Sequence, residues 1–227
     1  MGKNKLKQFA EIKAFPNVFE PEFEESMHGF SMKGNWNEKY FNNSNPIILE
    51  VGCGKGEYTT GLAQKYPDRN FIGLDLKGNR IWTGSCFAIE NNLSNVGFVR
   101  ARAETINSYF GKNEISEIWI PFPDPVPRKK GERKRLTCPR YLAKYQKFLI
   151  KGGIIHFKTD DKPLFDFTLE VIEKGKHKLH FSTDDLYGSD IICDAAEIRT
   201  YYEEIFLAKK MKICYLNFSL NSDIIEK

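Results

Sequence analysis

Three acids end apolar runs in this chain, and each is suited to a positively charged ligand. Glu50 follows Pro46-Ile47-Ile48-Leu49 and opens the turn Val51-Gly52-Cys53-Gly54-Lys55-Gly56. Asp75 closes Asn70-Phe71-Ile72-Gly73-Leu74, and Asp124 sits in Pro121-Phe122-Pro123-Asp124-Pro125 after Ile118-Trp119-Ile120. Gly52 and Gly54 can take a positive φ and let a ligand approach the backbone. A strand, a tight glycine turn, a helix and a second strand ending in an acid form half of a nucleoside-binding α/β unit. A dinucleotide site would place its third glycine at position 57, which holds Glu57. The register therefore favours the shorter pattern used for S-adenosylmethionine, where no pyrophosphate is cradled. Glu50 suits that cofactor's sulfonium and ammonium and would repel a diphosphate. Asp75 is placed for two ribose hydroxyls. An ordinary tight turn beside a surface acid would explain the glycines alone, but not the matching acids at two strand ends.

The next strand ends at Val99-Arg100-Ala101-Arg102-Ala103-Glu104, where backbone groups and a polar side chain commonly hold adenine. Arg102 either meets the cofactor through its main chain or faces solvent. Past the fourth strand, Pro121, Pro123 and Pro125 cannot continue a ladder and fix φ, so Asp124 is displayed on a stiff backbone at the carboxyl edge. Three residues later begins Arg128-Lys129-Lys130-Gly131-Glu132-Arg133-Lys134-Arg135, six cations and one acid. Alone, the first could be a rigid loop with Asp124 capping a turn, and the second a solvated face. Together they read as a base-binding pocket beside a phosphate-binding surface.

These residues need a scaffold, and the periodicity supplies one. Strands are expected at 46–51, 70–75, 95–101, 117–122 and 153–159, with helices at 57–66, 78–91, 104–110 and 139–149. That alternation predicts a parallel sheet covered on both faces. A helix near 162–174, a strand near 176–182, a helix at 195–209 and an alternating strand at 212–218 complete the domain, taken as 46–227. Residues 1–45 read as an arm that packs on the core or closes over a partner. Leu6, Phe9, Ala10 and Lys13 give its start a helical period.

Bulk properties narrow the class. The 227 residues carry a formal charge of +4, too mild alone to argue for nucleic acid. No apolar stretch nears the roughly 20 residues that span a bilayer, and no secretory signal core follows Met1. Five scattered cysteines without a Cys-x-x-Cys pair support neither disulfides nor zinc, which fits a reduced cytoplasm. His177 and His180, three apart on a strand, fall on opposite faces and do not chelate. His156 and the three tryptophans read as packing residues.

The motif set resembles bacterial tRNA (guanine-N7)-methyltransferases. The resemblance rests on Gly52–Gly56, Asp75, Phe122-Pro123-Asp124-Pro125, the trailing cations, Phe157-Lys158-Thr159-Asp160 and Thr200-Tyr201-Tyr202-Glu203. It spans roughly residues 46 to 218 in family order. The chain departs from the pattern at Val126, where the family usually has Trp, at Arg128 for Lys, and at Arg102 for Asp or Asn. Adenine-amine enzymes instead carry Asn/Asp-Pro-Pro-aromatic at this strand end, which Pro123-Asp124-Pro125-Val126 lacks.

The resemblance implies the Rossmann-like class I methyltransferase fold, a mostly parallel seven-stranded sheet with an antiparallel last strand. It implies methyl transfer from S-adenosylmethionine to N7 of guanosine 46 in the tRNA variable loop. Cofactor contacts would come from Glu50, Gly52, Gly54, Asp75, Arg102, Ala103 and Asp124, with Asp124 also catalytic. Arg128, Asp160, Thr200, Tyr201, Tyr202 and Glu203 would meet the guanosine, and Lys130, Arg133, Lys134 and Arg135 the RNA. No metal and no membrane are expected, and the protein would be a monomer or a homodimer. Thr200 and Glu203, three apart, also fit a helix capping box.

Overall fold

The computed structural model describes residues 2–22, 24–25 and 29–221, and the side chains of all of these except 2–4, 129 and 130. Eight strands form one sheet: β1 (Val18–Phe19), β2 (Ile47–Val51), β3 (Asn70–Asp75), β4 (Val96–Arg100), β5 (Ile115–Pro121), β6 (Leu149–Thr159), β7 (Lys178–Thr183) and β8 (Cys214–Ser219). The helices are α1 (Gly2–Glu11), α2 (Glu57–Lys65), α3 (Gly78–Glu90), α4 (Pro139–Tyr145), α5 (Lys162–Lys174), α6 (Asp194–Glu197) and α7 (Tyr201–Ala208). Spatial order is β1-β4-β3-β2-β5-β6-β8-β7. Strands β1 to β6 pair in parallel, and β8 runs antiparallel to both β6 and β7. All five residues of β2 are buried, as a parallel strand covered on both faces requires.

From β2 the chain steps outward to β3 and β4, then returns to the other side of β2 as β5. That reversal opens a crevice at the carboxyl ends of β2 and β5, where ligands of open α/β sheets bind. Seven strands match the expected sheet. The eighth, β1, comes from the arm and pairs Val18 with Phe98 and Phe19 with Val99.

Residues before 46, expected as an arm, pack against the sheet domain that follows. Phe30, Met32, Trp36 and Phe41 are buried in the same apolar cluster as Leu49, Ile118 and Phe157. The Trp36 indole donates to the Tyr109 carbonyl at 2.9 Å. Farther out, the Trp82 indole of α3 donates to Glu11 at 2.7 Å. Phe9 and Ile12 approach Gly78 so closely that a Cβ there would lie 2.7 Å from Ile12. The described residues of this segment thus cover α3 and share the core with β5.

Two expected helices differ. Residues Ala103–Ser108 form a kinked 3-10 segment with Thr105 at φ −105°. The helix expected at 195–209 breaks into α6 and α7, with Ile198 and Thr200 extended between them. The cause lies in the neighbouring sheet: Lys158 Nζ bonds the Ala195 carbonyl and reaches the Ile198 carbonyl at 3.5 Å.

Candidate active site

The glycine turn is fastened to the sheet by its own backbone. Gly52 N–H and Cys53 N–H both donate to the Leu74 carbonyl, at 2.8 and 3.0 Å. Gly52 and Gly54 take φ of 78° and 56°, and a Cβ at Gly54 would meet open space. The turn thus needs glycine there for conformation while leaving room above its backbone. The Asp75 carboxylate accepts Gly54 N–H at 2.9 Å and Lys77 N–H at 2.7 Å. It fixes the turn to the start of α3.

Glu50, at the end of β2, is buried, and both of its bonds land on Oε2: Thr59 N–H at 2.8 Å and the Thr59 hydroxyl. Burial raises its carboxyl to about 8, against the lowering effect of the Thr59 bonds. A cation brought beside it would favour the ionised form.

Across the crevice, the Pro-Asp-Pro loop is stiffer than its prolines alone dictate. Phe122 and Val126 take φ of 48° and 44°, a costly conformation for a β-branched or bulky residue. Surrounding bonds hold it: Phe122 N–H donates to the Lys158 carbonyl at 2.8 Å. The Arg135 guanidinium donates to the carbonyls of Pro125 at 3.2 Å and Val126 at 3.3 Å. It also lies over the Phe167 ring, 4.3 Å from its centroid. Asp124 itself stays exposed, with Val126 N–H at 3.3 Å from Oδ1.

A cavity of about 550 Å³ joins these parts. Glu50, Gly52, Gly54 and Lys77 line it from the ends of β2 and β3, Asp124 and Asp160 from the ends of β5 and β6, and Thr200 and Tyr202 from the start of α7. Asp160, at the end of β6, is half-buried, and burial pushes its carboxyl upward. Its neighbour Asp161 caps α5 by accepting Leu164 N–H at 2.7 Å.

Several expected site residues stand elsewhere. Asp75 braces the turn and does not line the cavity; neither do Arg102, Ala103, Arg128 or Tyr201. Arg102 faces solvent, and its carbonyl accepts Thr105 N–H at 3.1 Å. Arg128, Arg133 and Lys134 are exposed beside the Asp124 loop. Arg135, expected at the RNA, is buried and donates to the loop carbonyls. The side chain of Lys130 lies outside the described residues.

Glu203, expected at the guanosine, is engaged inside the protein. It is fully buried and off the cavity wall, and it closes the capping box with Thr200. Its Oε1 lies 2.5 Å from Lys158 Nζ and accepts the Tyr187 hydroxyl at 2.7 Å. Lys158 is the residue that sequence reading passed over. Its ammonium, 1% exposed, also donates to the Tyr58 hydroxyl at 2.9 Å. Burial pulls it below the ordinary lysine range, opposed by Glu203. The signal for it was a lysine in a strand otherwise rich in core residues. His156 is structural: it stacks on Trp119 at 4.0 Å, meets the Tyr215 hydroxyl at 2.7 Å and lies 3.2 Å from Glu117. Among the described residues no acid, His and Cys cluster could hold a metal, and no helix is long and apolar enough to cross a membrane.

The strand order, the switch point at β2/β5 and the antiparallel β8 define the class I methyltransferase fold. The 16S rRNA methyltransferase KamB shares this fold, with a TM-score of 0.63 over 81% of this chain and 92% of its own, at 13% identity. Residues 44–216 match the family model described as "Putative methyltransferase". The tRNA (guanine-N(7)-)-methyltransferase of Bacteroides fragilis is 45% identical over 221 residues, covering 97% of this chain and 87% of that protein. That of Christiangramia forsetii is 42% identical, covering 96% of this chain and 99% of its own. The chain belongs to the tRNA (guanine-N7)-methyltransferase family.

Proposed function

We propose that the protein transfers a methyl group from S-adenosylmethionine to N7 of guanosine 46 in the tRNA variable loop. The observation that carries this reading is one cavity lined by Glu50 and the glycine turn from the end of β2 and by Asp124 and Asp160 from the ends of β5 and β6. The residues fit the cofactor. A buried carboxylate raised to about 8 gains from a cationic ligand, and the turn leaves room above Gly54. When bound, that cofactor supplies a methyl group activated by a sulfonium leaving group.

On the acceptor side, N7 of guanine has an in-plane lone pair and no proton. No general base is required, unlike for an exocyclic amine or a ribose hydroxyl. The protein's task is alignment and accommodation of the positive charge that the purine gains. Asp124 offers an exposed carboxylate for that charge. Asp160 is placed to accept from the guanine N1–H and amino group. Glu203 does this work at one remove: its bonds fix Thr200 and the start of α7, so it is a positioning residue. The rim cations Arg128, Arg133 and Lys134 supply the phosphate contacts that such a substrate needs.

The test is incubation with labelled S-adenosylmethionine and unmodified tRNA, followed by borohydride and aniline cleavage. Cleavage at a single variable-loop guanosine is expected. Label incorporated without cleavage there, or no label at all, would reject the reading.

A further inference from the structure

The cavity mouth carries a feature that alignment of one guanine does not use. Tyr201 and Tyr202 open α7 side by side, 52% and 46% exposed, with rings 5.6 Å apart in an edge-on pair. A cation from the residues that follow β2 or β3 reaches each. Lys55 Nζ lies 3.9 Å from the Tyr201 ring centroid. Arg80 lies 5.8 Å from the Tyr202 centroid and donates to its hydroxyl at 3.4 Å. Tyr201 N–H is held at 3.3 Å by Glu57, which fixes the pair in place. Among the described residues, Lys55, Lys77 and Arg80 make no ion pair with a carboxylate.

The cavity lining carries both signs of charge: Glu50, Asp124 and Asp160 would repel a phosphate, and Lys55, Lys77 and Arg80, which follow β2 and β3, would attract one. A guanine base can approach those acids only if its own phosphates stay clear of them. Half-exposed aromatic rings next to cations without a carboxylate partner form a stacking platform for a single strand, since every base offers a π face.

We propose that Tyr201, Tyr202, Lys55 and Arg80 form a second nucleotide-binding site, which takes the nucleotide adjacent to the target guanosine. Its base stacks on the tyrosine pair, and the cations meet its phosphate. The guanosine and its neighbour are thereby splayed apart at the rim. This inference rests on the RNA-methylating reading above.

The test is a double-mutant cycle between protein and RNA. Unmodified tRNA is prepared with a single abasic residue on the 5′ or the 3′ side of the methylated guanosine. Its KM is compared with that of intact tRNA for the wild type and for Tyr201→Ala/Tyr202→Ala. One of the two abasic RNAs should lose about tenfold with the wild type and almost nothing further with the double variant. Lys55→Ala/Arg80→Ala should lower the log–log salt slope of tRNA binding by about 0.7 for each phosphate that is no longer neutralised. An abasic penalty of equal size in wild type and double variant would overturn the proposal. So would a Lys55→Ala/Arg80→Ala protein with weakened S-adenosylmethionine binding and an unchanged salt slope, which would assign these cations to the cofactor. Absence of any methylation of intact tRNA by the wild type would instead reject the parent reading, and this site with it.

Discussion

The two halves of the cavity are built in opposite ways. The donor half lies within one stretch of chain, residues 50–80, and is closed by bonds inside that stretch: Gly52 and Cys53 onto the Leu74 carbonyl, Gly54 onto the Asp75 carboxylate. The acceptor half is gathered from residues 121–125, 160–161 and 200–206, which meet only in the folded protein. Two buried cations hold it, Arg135 on the Pro-Asp-Pro loop and Lys158 behind α7. A local motif can form a cofactor turn almost anywhere. A substrate wall made of distant pieces depends on groups that never touch the substrate.

The largest expected effect strikes the gathered half. Lys158→Met leaves Glu203 charged, buried and without its cation, which should cost about 3–5 kcal/mol of stability. Adding Glu203→Leu removes the orphaned charge, so the double variant should recover part of that loss in urea unfolding. Equal stability of single and double variants would show that the pair is not what holds α7. Next in size is Asp124→Ala, expected to lower kcat by about 100-fold while changing S-adenosylmethionine affinity far less. Unaltered turnover would remove Asp124 from the chemistry.

The donor half should respond to pH more than to truncation. Glu50 has its folded-state pKa raised from 4.5 to about 8 by burial. A raised acid contributes stability that is full below its unfolded value and is lost as pH rises through its folded one. The unliganded wild type should therefore lose melting temperature relative to Glu50→Gln between about pH 5 and pH 8. Cofactor affinity should move the other way, rising through about pH 8 as the carboxylate forms, and stay flat in Glu50→Gln. Parallel profiles for the two proteins would contradict the assignment of Glu50.

The same contrast explains what could be read before the fold was known. The strand–turn–helix–strand unit is written in contiguous residues, so Ile47–Val51, the glycine turn and Asn70–Asp75 stand where apolar runs and glycines put them. Asp124 stood out because three prolines display it just after a strand, whereas Asp160 was singled out only through the resemblance of Phe157-Lys158-Thr159-Asp160 to a family motif. Arg135 was not, since a basic run does not say which member turns inward to satisfy strained carbonyls. Glu203 fitted both a capping box and a guanosine contact; the box forms, and the partner of its carboxylate, Lys158, comes from a remote strand. The break between α6 and α7 has the same origin, a lysine on a remote strand taking helix carbonyls. At two residues, β1 is too short to show a period.

The division of labour itself can be tested with two variants of equal chemistry, Glu50→Gln and Asp160→Asn, in each of which the dissociation constant for S-adenosylmethionine and the KM for tRNA are measured. Glu50→Gln should weaken the cofactor and spare tRNA, and Asp160→Asn should do the reverse. Loss of the same ligand in both variants would contradict a cavity with separate donor and acceptor walls.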